Sequence, residues 1–335
     1  MPVPILLAPS ADLAREVLAT RTVVLTVEAE YGSYVAEGRL HTAAHHQPVG
    51  SPYAGRHLVE GGRPSPCNSN LIPILTEEDA AVGAVVLVSH VDLDTFGGVL
   101  RSMPEFQDLF PPKNVDAAAL AKAPAEAANV IVSIWNNVNF WNLAEFVDVR
   151  GAHKLGESGV GERYLSQIYA FWAWSKSPEG GPRLPRDQVT DVTNLVRAAG
   201  EALRRIFHDD AELLAAGDAF RAAEDDLNKR TFLRREGDVI VRIAGFSRDF
   251  CNHLYVTPNG EVGRAVASYG RESGSVTISL ADPVSGVSCR AIVQELWGAE
   301  AGGHDGIAGS PREKNMGEEG LEDAVQALQK AFLQR

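Results

Sequence analysis

The sequence predicts an α/β fold: an N-terminal domain with a mainly parallel sheet flanked by helices, a helical connector, and a smaller C-terminal α/β domain. Three observations predict it. Apolar, β-branched runs at 22–29 and 81–90 read as strands. Helical segments alternate with such runs, the pattern that makes a parallel sheet with helices on its faces. Past residue 232 the pattern changes to short strands with turn residues between them, closed by helices. The chain divides on this reading into 1–160, 161–231 as the connector, and 232–335.

The elements follow in order. T-V-V-L-T-V-E-A at 22–29 alternates, and 34–43 is expected to pair with it after the turn Tyr31-Gly32-Ser33. The Gly/Pro/Ser-rich stretch 48–66 reads as a long loop. A-V-G-A-V-V-L-V-S-H at 81–90 is an apolar run ending in a histidine, as a buried parallel strand would be. A helix is expected to begin around Thr95, and 117–128 is Ala-rich and helical. The runs 130–135 and 144–149 are expected as two more core strands. From 164 to 230 the pattern is helical, with Leu195, Ala198, Ala202 and Ile206, then Leu213, Leu214, Ala219 and Phe220, near a 3.6-residue period. A loop at 178–185 interrupts it. Strands are expected at 239–244, 254–256, 262–268 and 276–280. A helix at 291–297 and an amphipathic one carrying Leu321, Val325, Leu328 and Phe332 close the chain.

Composition excludes several classes. With 45 % hydrophobic and 22 % charged residues, the chain of 335 can fill a sizeable core. Its net charge of −13 argues against long nucleic acid held through phosphates, which needs clustered cations. A small anionic substrate in a local metal or Arg pocket stays compatible and is the expected partner, with a homodimer left open. Three cysteines (Cys67, Cys251, Cys289) and no C-x-x-C rule out a disulfide framework and a thiolate zinc knuckle. The proline-containing N-terminus has no basic region before its apolar residues, and no apolar run reaches ~18 residues. A soluble, cytoplasmic protein without a membrane span is therefore expected. There is no G-x-S-x-G, no Walker loop and no G-x-G-x-x-G.

Two segments can carry chemistry. S-H-V-D-L-D-T-F-G-G at 89–98 lies where an apolar strand meets a helix, and the C-terminal ends of parallel strands face the ligand crevice of α/β proteins. In an extended segment His90, Asp92 and Asp94 share one face. Two carboxylates and an imidazole converging there need a cation to offset their repulsion, and an oxygen-rich set with some imidazole suits Mn²⁺ or Mg²⁺. The plainer alternative is that Asp94 caps the helix and His90 ends the strand. The second segment, E-A-G-G-H-D-G-I-A-G-S-P-R at 300–312, sets glycines around a histidine. Its backbone amides can cradle an anion and Arg312 can clamp one.

Together these segments resemble the DHH phosphoesterase superfamily, as a divergent member. The segment 89–98 looks like that superfamily's first motif, H-x-D-x-D after a core strand. Gly302-Gly303-His304 followed by Ala308-Gly309 looks like the G-G-H-x-x-A-G signature of the DHH-associated C-terminal domain. The resemblance covers 80–100 and 235–315. It implies a metal-binding domain at 1–160 holding two divalent ions, usually Mn²⁺, a substrate-binding domain at 232–335, and a water attacking phosphorus. Carried over, Asp92 and Asp94 become catalytic metal ligands, with His90 a ligand or neighbour. Gly302, Gly303 and His304 meet the substrate's phosphate, beside Arg312, whose clamp is read from its own chemistry.

The chain departs from the pattern, because no Asp-His-His triplet occurs between 95 and 232. Asp148 with His153, in F-V-D-V-R-G-A-H-K, is one substitute. The pair His45-His46, which lies before the first motif, is another and would require a rearranged strand order. The expected function is thus divalent-metal-dependent hydrolysis of a phosphoester or phosphoanhydride in a small substrate (a nucleotide, short oligonucleotide or phosphorylated metabolite). The alternatives are a non-catalytic ligand-binding protein on the same scaffold, or a hydrolase of other esters. One such hydrolase is an aminoacyl-tRNA editing deacylase, suggested by His41-x-x-x-His45, although the Cys-x-x-x-His expected beside it is missing. Trp135, Phe140 and Trp141, interleaved with Asn136, Asn137, Asn139 and Asn142, read as core packing with base stacking as the alternative. Phe171-Trp172-Ala173-Trp174 reads as interdomain packing, and Arg248 and His253 as cleft residues.

Overall fold

A computed structural model of the chain describes residues 3–46, 65–111, 128–246 and 249–333, except for side chains at 128–137, 149 and 156. The N-terminal half opens with β1 (Ile5–Leu7), α1 (Ala11–Thr20) and β2 (Thr22–Val27). A hairpin of β3 (Glu30–Tyr31) and β4 (Tyr34–Val35) follows, then β5 (His41–Ala43), α2 (Glu77–Ala81), β6 (Ala84–Val88) and α3 (Leu93–Ser102). Next come α4 (Ala128–Arg150), α5 (Glu162–Ser175), β7 (Thr190–Asp191) and α6 (Thr193–Phe207). The strands form a sheet in the order β5-β2-β6-β1-β7, parallel except for the edge strand β7. Every residue of β6 is buried, which explains its unbroken apolar run: a central parallel strand has no solvent face.

The apolar core of this half joins β1, β2 and β6 to Phe96, Val99 and Leu100 of α3 and Phe140, Trp141 and Leu143 of α4. It also takes in Ile168, Phe171 and Trp174 of α5 and Leu195, Leu203 and Ile206 of α6, so these helices of the expected connector pack in the same core as the sheet. Phe171 and Trp174, expected between the domains, are buried in this core; Phe171 and Trp172 also line the cleft. Gly97 lets α3 lie close to its neighbours: a Cβ there would sit 2.4 Å from Cys67 Cβ and 2.6 Å from the Trp141 ring.

The C-terminal half adds α7 (Ala211–Ala222), α8 (Glu224–Thr231), β8 (Phe232–Glu236), β9 (Val239–Ala244), β10 (Ala265–Gly270) and β11 (Val276–Leu280). It ends with α9 (Cys289–Trp297), β12 (Gly302–Gly303), β13 (Ile307–Gly309) and α10 (Gly317–Leu333). The second sheet runs β12-β13-β11-β10-β9-β8 and is antiparallel except between β9 and β10. Val293 of α9 and Leu321, Val325 and Leu328 of α10 share a second apolar core with it.

The two halves dock through backbone. Ser33 N donates to Ala299 O at 3.0 Å, and the buried Arg290 donates to Gly32 O at 3.0 Å and to His46 O. Gly32, at φ +63°, could be no other residue without collision: its Cβ would lie 1.6 Å from Ala299 O. Among the described residues no helix is long and apolar enough to cross a membrane.

Several sequence expectations change. The runs 130–135 and 144–149 belong to one helix, α4, not to two strands. A short apolar run looks alike in a buried strand and a buried helix. Here no Gly or Pro breaks the chain from 128 to 150, and the helix ends at Gly151 (φ +89°). The segment 34–43 does not form one hairpin partner: β4 closes on β3, whereas β5 joins β2 in parallel. Only an isolated bridge between Val256 and Val262 stands where a strand at 254–256 was expected. The loop expectation for 48–64 and the helix expectation for 117–127 lie outside the described residues, as does Arg248.

Candidate metal centre at the strand tips

Register builds the site. Val27, Ala43 and Val88 are hydrogen-bonding-register neighbours at the ends of three adjacent parallel strands, β5, β2 and β6. The residues just beyond them therefore emerge at one edge of the sheet: Glu28 from β2, His45 and His46 from β5, and His90 from β6. This is the crevice that a parallel α/β sheet offers to ligands. Asp92 and Asp94 follow at the start of α3. Asp148 arrives from the last turn of α4, and His304 from the loop between β12 and β13 of the C-terminal half.

Glu28 is the centre of the group, and sequence reasoning missed it. Its carboxylate accepts from His45 Nε2 and from Thr95 Oγ1, both at 2.6 Å, and lies 3.4 Å from the Nε2 atoms of both His46 and His90. It adopts φ +49°, rare for a residue with a side chain, and its amide is held by Ala43 O at 2.8 Å. Its burial, 1 % exposed at the tip of a strand, appears only in the fold. In the sequence it looked like the polar partner in an alternating strand.

The remaining ligand candidates are each fixed. His90 Nε2 is 3.0 Å from Asp92 Oδ2, and its Nδ1 is 3.0 Å from Ser89 Oγ. Asp92, rather than Asp94, is the cap of α3, accepting from the Thr95 amide at 2.9 Å. Asp94 lies in the first helical turn, where Oδ1 accepts from the Cys67 amide at 2.8 Å. Asp148 Oδ2 accepts from Ser65 Oγ at 2.8 Å. Glu30 holds the histidine pair in place, accepting from the amides of His45 at 2.9 Å and His46 at 3.1 Å. His45 Nε2 lies 3.3 Å from Asp94 Oδ2 and 3.7 Å from Asp148 Oδ2.

Charge in this space is badly balanced. Burial pushes Glu28 up, but the imidazoles of His90, His45 and His46 overcome it and hold the carboxyl well below its ordinary value. Asp92 is likewise held low, His90 outweighing burial. The other two carboxylates go the opposite way. Burial, reinforced by Glu28 and Asp148, pushes Asp94 well up; burial, then Glu28 and Asp92, takes Asp148 to about 7 despite His45. His45 is raised because Asp148, Glu28 and Asp94 outweigh its burial. Burial and the neighbouring imidazoles keep His46 well below its ordinary value and lower His304 to about 3.

The arrangement fits a divalent cation. Two buried polar atoms pointing into it, Asp94 Oδ2 and His304 Nε2, have no hydrogen-bond partner, and such orphans are costly unless something else satisfies them. Three groups have ligand atoms mutually within 4.8 Å: Glu28, His90 and Asp92; Glu28, His45 and Asp94; and His45, His46, Asp148 and His304. These acidic and imidazole side chains, buried or half-buried except for the exposed Asp92, could hold a metal ion.

A cleft of about 2160 Å³ lies over the cluster and between the two halves. Gly302, Gly303 and Arg312 line it from the C-terminal side, and Lys176, Arg183 and Arg186 from the 176–189 loop. Arg312 Nη1 donates to Glu30 O at 3.2 Å, and Arg186 Nη1 donates to Arg312 O at 2.8 Å, so the cations begin beside the metal-type cluster. Glu313 is the nearby counter-charge of Arg186.

Other sequence candidates fall elsewhere. His153 Nε2 pairs with Ala281 O at 2.7 Å, across the interface and outside the cluster. His41 sits in β5, not on a helix, and its ring meets Leu71 O, so His41 and His45 do not make a zinc pair. Phe140 and Trp141 are fully buried, and Asn139 and Asn142 bond Tyr164 and Asn68. His253 lines the cleft with its Nε2 on Glu224 at 2.8 Å. Comparison of the chain with models of protein families, with curated proteins and with solved structures gives no match.

Proposed function

We propose that the protein is a divalent-metal-dependent hydrolase of a phosphoester or phosphoanhydride in a small substrate, a divergent relative of the DHH phosphoesterases. One observation carries the reading: Glu28, His45, His46, His90, Asp92, Asp94 and Asp148, scattered in sequence, converge with unsatisfied ligand atoms on the floor of a cleft that Arg312, Lys176, Arg183 and Arg186 also line. The His45-His46 pair supports the resemblance by standing where the missing triplet's histidines would be needed, beside the first motif.

Glu28, His90 and Asp92 form an oxygen-rich set suited to Mn²⁺ or Mg²⁺, and Glu28 is within reach of a second ion at His45 and Asp94. Bound there, two such ions would supply Lewis acidity, lowering the pKa of water and offsetting charge on the leaving oxygen. The chain's own residues do the rest. Glu30 fixes the histidine pair through their amides. Thr95 and Ser89 orient Glu28 and His90. The amides of Gly302 and Gly303, with Arg312, bind the anionic oxygens of the substrate and turn its phosphorus toward the cluster. Lys176, Arg183 and Arg186 add local positive charge on the loop side of the cleft, among several carboxylates, and so favour a compact anion over a long polymer.

The test is phosphate or nitrophenol release from nitrophenyl phosphate mono- and diesters with added Mn²⁺, set against release from aminoacyl esters. Wild type is expected to turn over a phosphoester only with metal, and Asp92→Ala and Asp94→Ala to fall to background while folding normally. Wild-type turnover in either variant sinks the assignment. Cleavage of aminoacyl esters alone would move the reading to an editing deacylase, and metal uptake without any turnover to a binding protein.

A further inference from the structure

We infer that His304 is a metal ligand donated across the cleft, completing with His45, His46 and Asp148 a nitrogen-rich site for a Zn²⁺-type ion that ties the two halves of the chain together. The inference rests on the reading that the strand-tip cluster holds metal, and not on the reaction proposed for it.

The geometry points there on three counts. First, one ligand atom from each of His45, His46, Asp148 and His304 lies within 4.8 Å of all the others. The rings converge in the same way, His304 lying 5.2 Å from His45 and 4.4 Å from His46 between centroids, nearly perpendicular to both. Second, His304 Nε2 is buried and has no hydrogen-bond partner. An imidazole whose role was to donate to its neighbours would be paired; an open lone pair aimed at two imidazoles and a carboxylate is what a cation would satisfy. Third, both sides are held rigidly. His304 N donates to Ile307 O at 2.7 Å, closing its loop. His46 is gripped from both halves, by Glu30 through its amide and by Arg290 through its carbonyl.

This group shares His45 with the Glu28, His45 and Asp94 set and competes with that set for one imidazole. It shares no residue with Glu28, His90 and Asp92, so these two sets can be filled independently. Their chemistry also differs. Three imidazole nitrogens with one carboxylate give the donor number and type of a tetrahedral zinc site, whereas two carboxylates with one imidazole suit a harder ion. Filling the first set needs the C-terminal half to be docked. Filling the second does not.

Equilibrium dialysis with Zn²⁺ alone, followed by metal analysis, tests the inference on wild type, His304→Ala and Asp148→Asn. Wild type is expected to bind Zn²⁺, and both variants, which lie on opposite sides of the cleft, to lose affinity together by at least the ~10–100-fold seen when even an outer metal partner is removed. Mn²⁺ uptake at Glu28, His90 and Asp92 should persist in both. In wild type, Zn²⁺ should also slow amide exchange in the 302–309 loop, a readout that needs no variant to fold. Unchanged Zn²⁺ affinity in either variant, or a loop whose exchange Zn²⁺ does not alter, overturns the inference. The hydrolase reading fails separately, through Mn²⁺-dependent turnover that survives Asp92→Ala.

Discussion

Arg242 and Asp94 are both buried charged residues, and they are treated in opposite ways. Arg242, 0 % exposed on β9, spends its guanidinium completely: it donates to Leu254 O, Asn228 O, Thr231 Oγ1, Asn228 Oδ1 and Val256 O, all between 2.6 and 3.0 Å. Asp94, 4 % exposed at the tip of the parallel sheet, leaves Oδ2 without a hydrogen bond, 3.3 Å from His45 Nε2, and sits among other carboxylates. A satisfied buried charge knits α8 and the 254–256 segment to the second sheet. An unsatisfied one, whose ionised form burial and neighbouring carboxylates disfavour, is a group that a bound cation could offset.

The largest effect that would break this comparison is on stability. Arg242→Met should cost roughly 3–5 kcal/mol in urea unfolding, from several carbonyls left without donors and imperfect filling, with metal uptake unchanged. A loss near zero would mean that its five contacts are replaceable and that the contrast with Asp94 is empty.

A smaller effect concerns protons. Asp148 is raised to about 7, so what it adds to the stability of the metal-free fold is fully present below 3.8 and is lost as pH rises through about 7. Asp94, raised for the same reasons, acts in the same direction. A metal ion bound there would have to displace these protons. Titration calorimetry with Mn²⁺ in buffers of different ionisation enthalpy should therefore show proton release at pH 6 that shrinks by pH 8. Equal release at both values would remove Asp148 and Asp94 from the ligand set.

The smallest expected change is a gain. Asp94→Asn keeps an oxygen for the Cys67 amide and removes a charge that burial, Glu28 and Asp148 all disfavour. The metal-free variant should melt slightly above wild type at pH 8 and level with it below the ordinary aspartate value of 3.8. A lower melting temperature at pH 8 would place Asp94 with Arg242, as a structural charge.

Much of the scaffold was legible because its causes are local. The apolar run at 84–88, the turn into α3, the strands β9, β10 and β11, and the closing helices each carry their own periodicity and punctuation. The cluster was half legible. His90, Asp92 and Asp94 announce themselves at a strand tip, whereas α4 hid its helix behind an apolar run that read as a strand, and Asp148 was picked for the wrong local structure. Glu28 stood in plain view as one polar residue in an alternating strand, and nothing nearby in sequence marked it.

What the sequence by itself determined is the class of architecture and the first three members of the site, since hydrophobic period and turn chemistry act over a few residues. Only the tertiary structure decided that Glu28, the His45-His46 pair, Asp148 and His304 belong with them. Strand order and register bring residues far apart in the chain to one edge of a sheet, and helix docking then sets which side chains face it. Those choices come from packing the whole core, and no short window of residues records them.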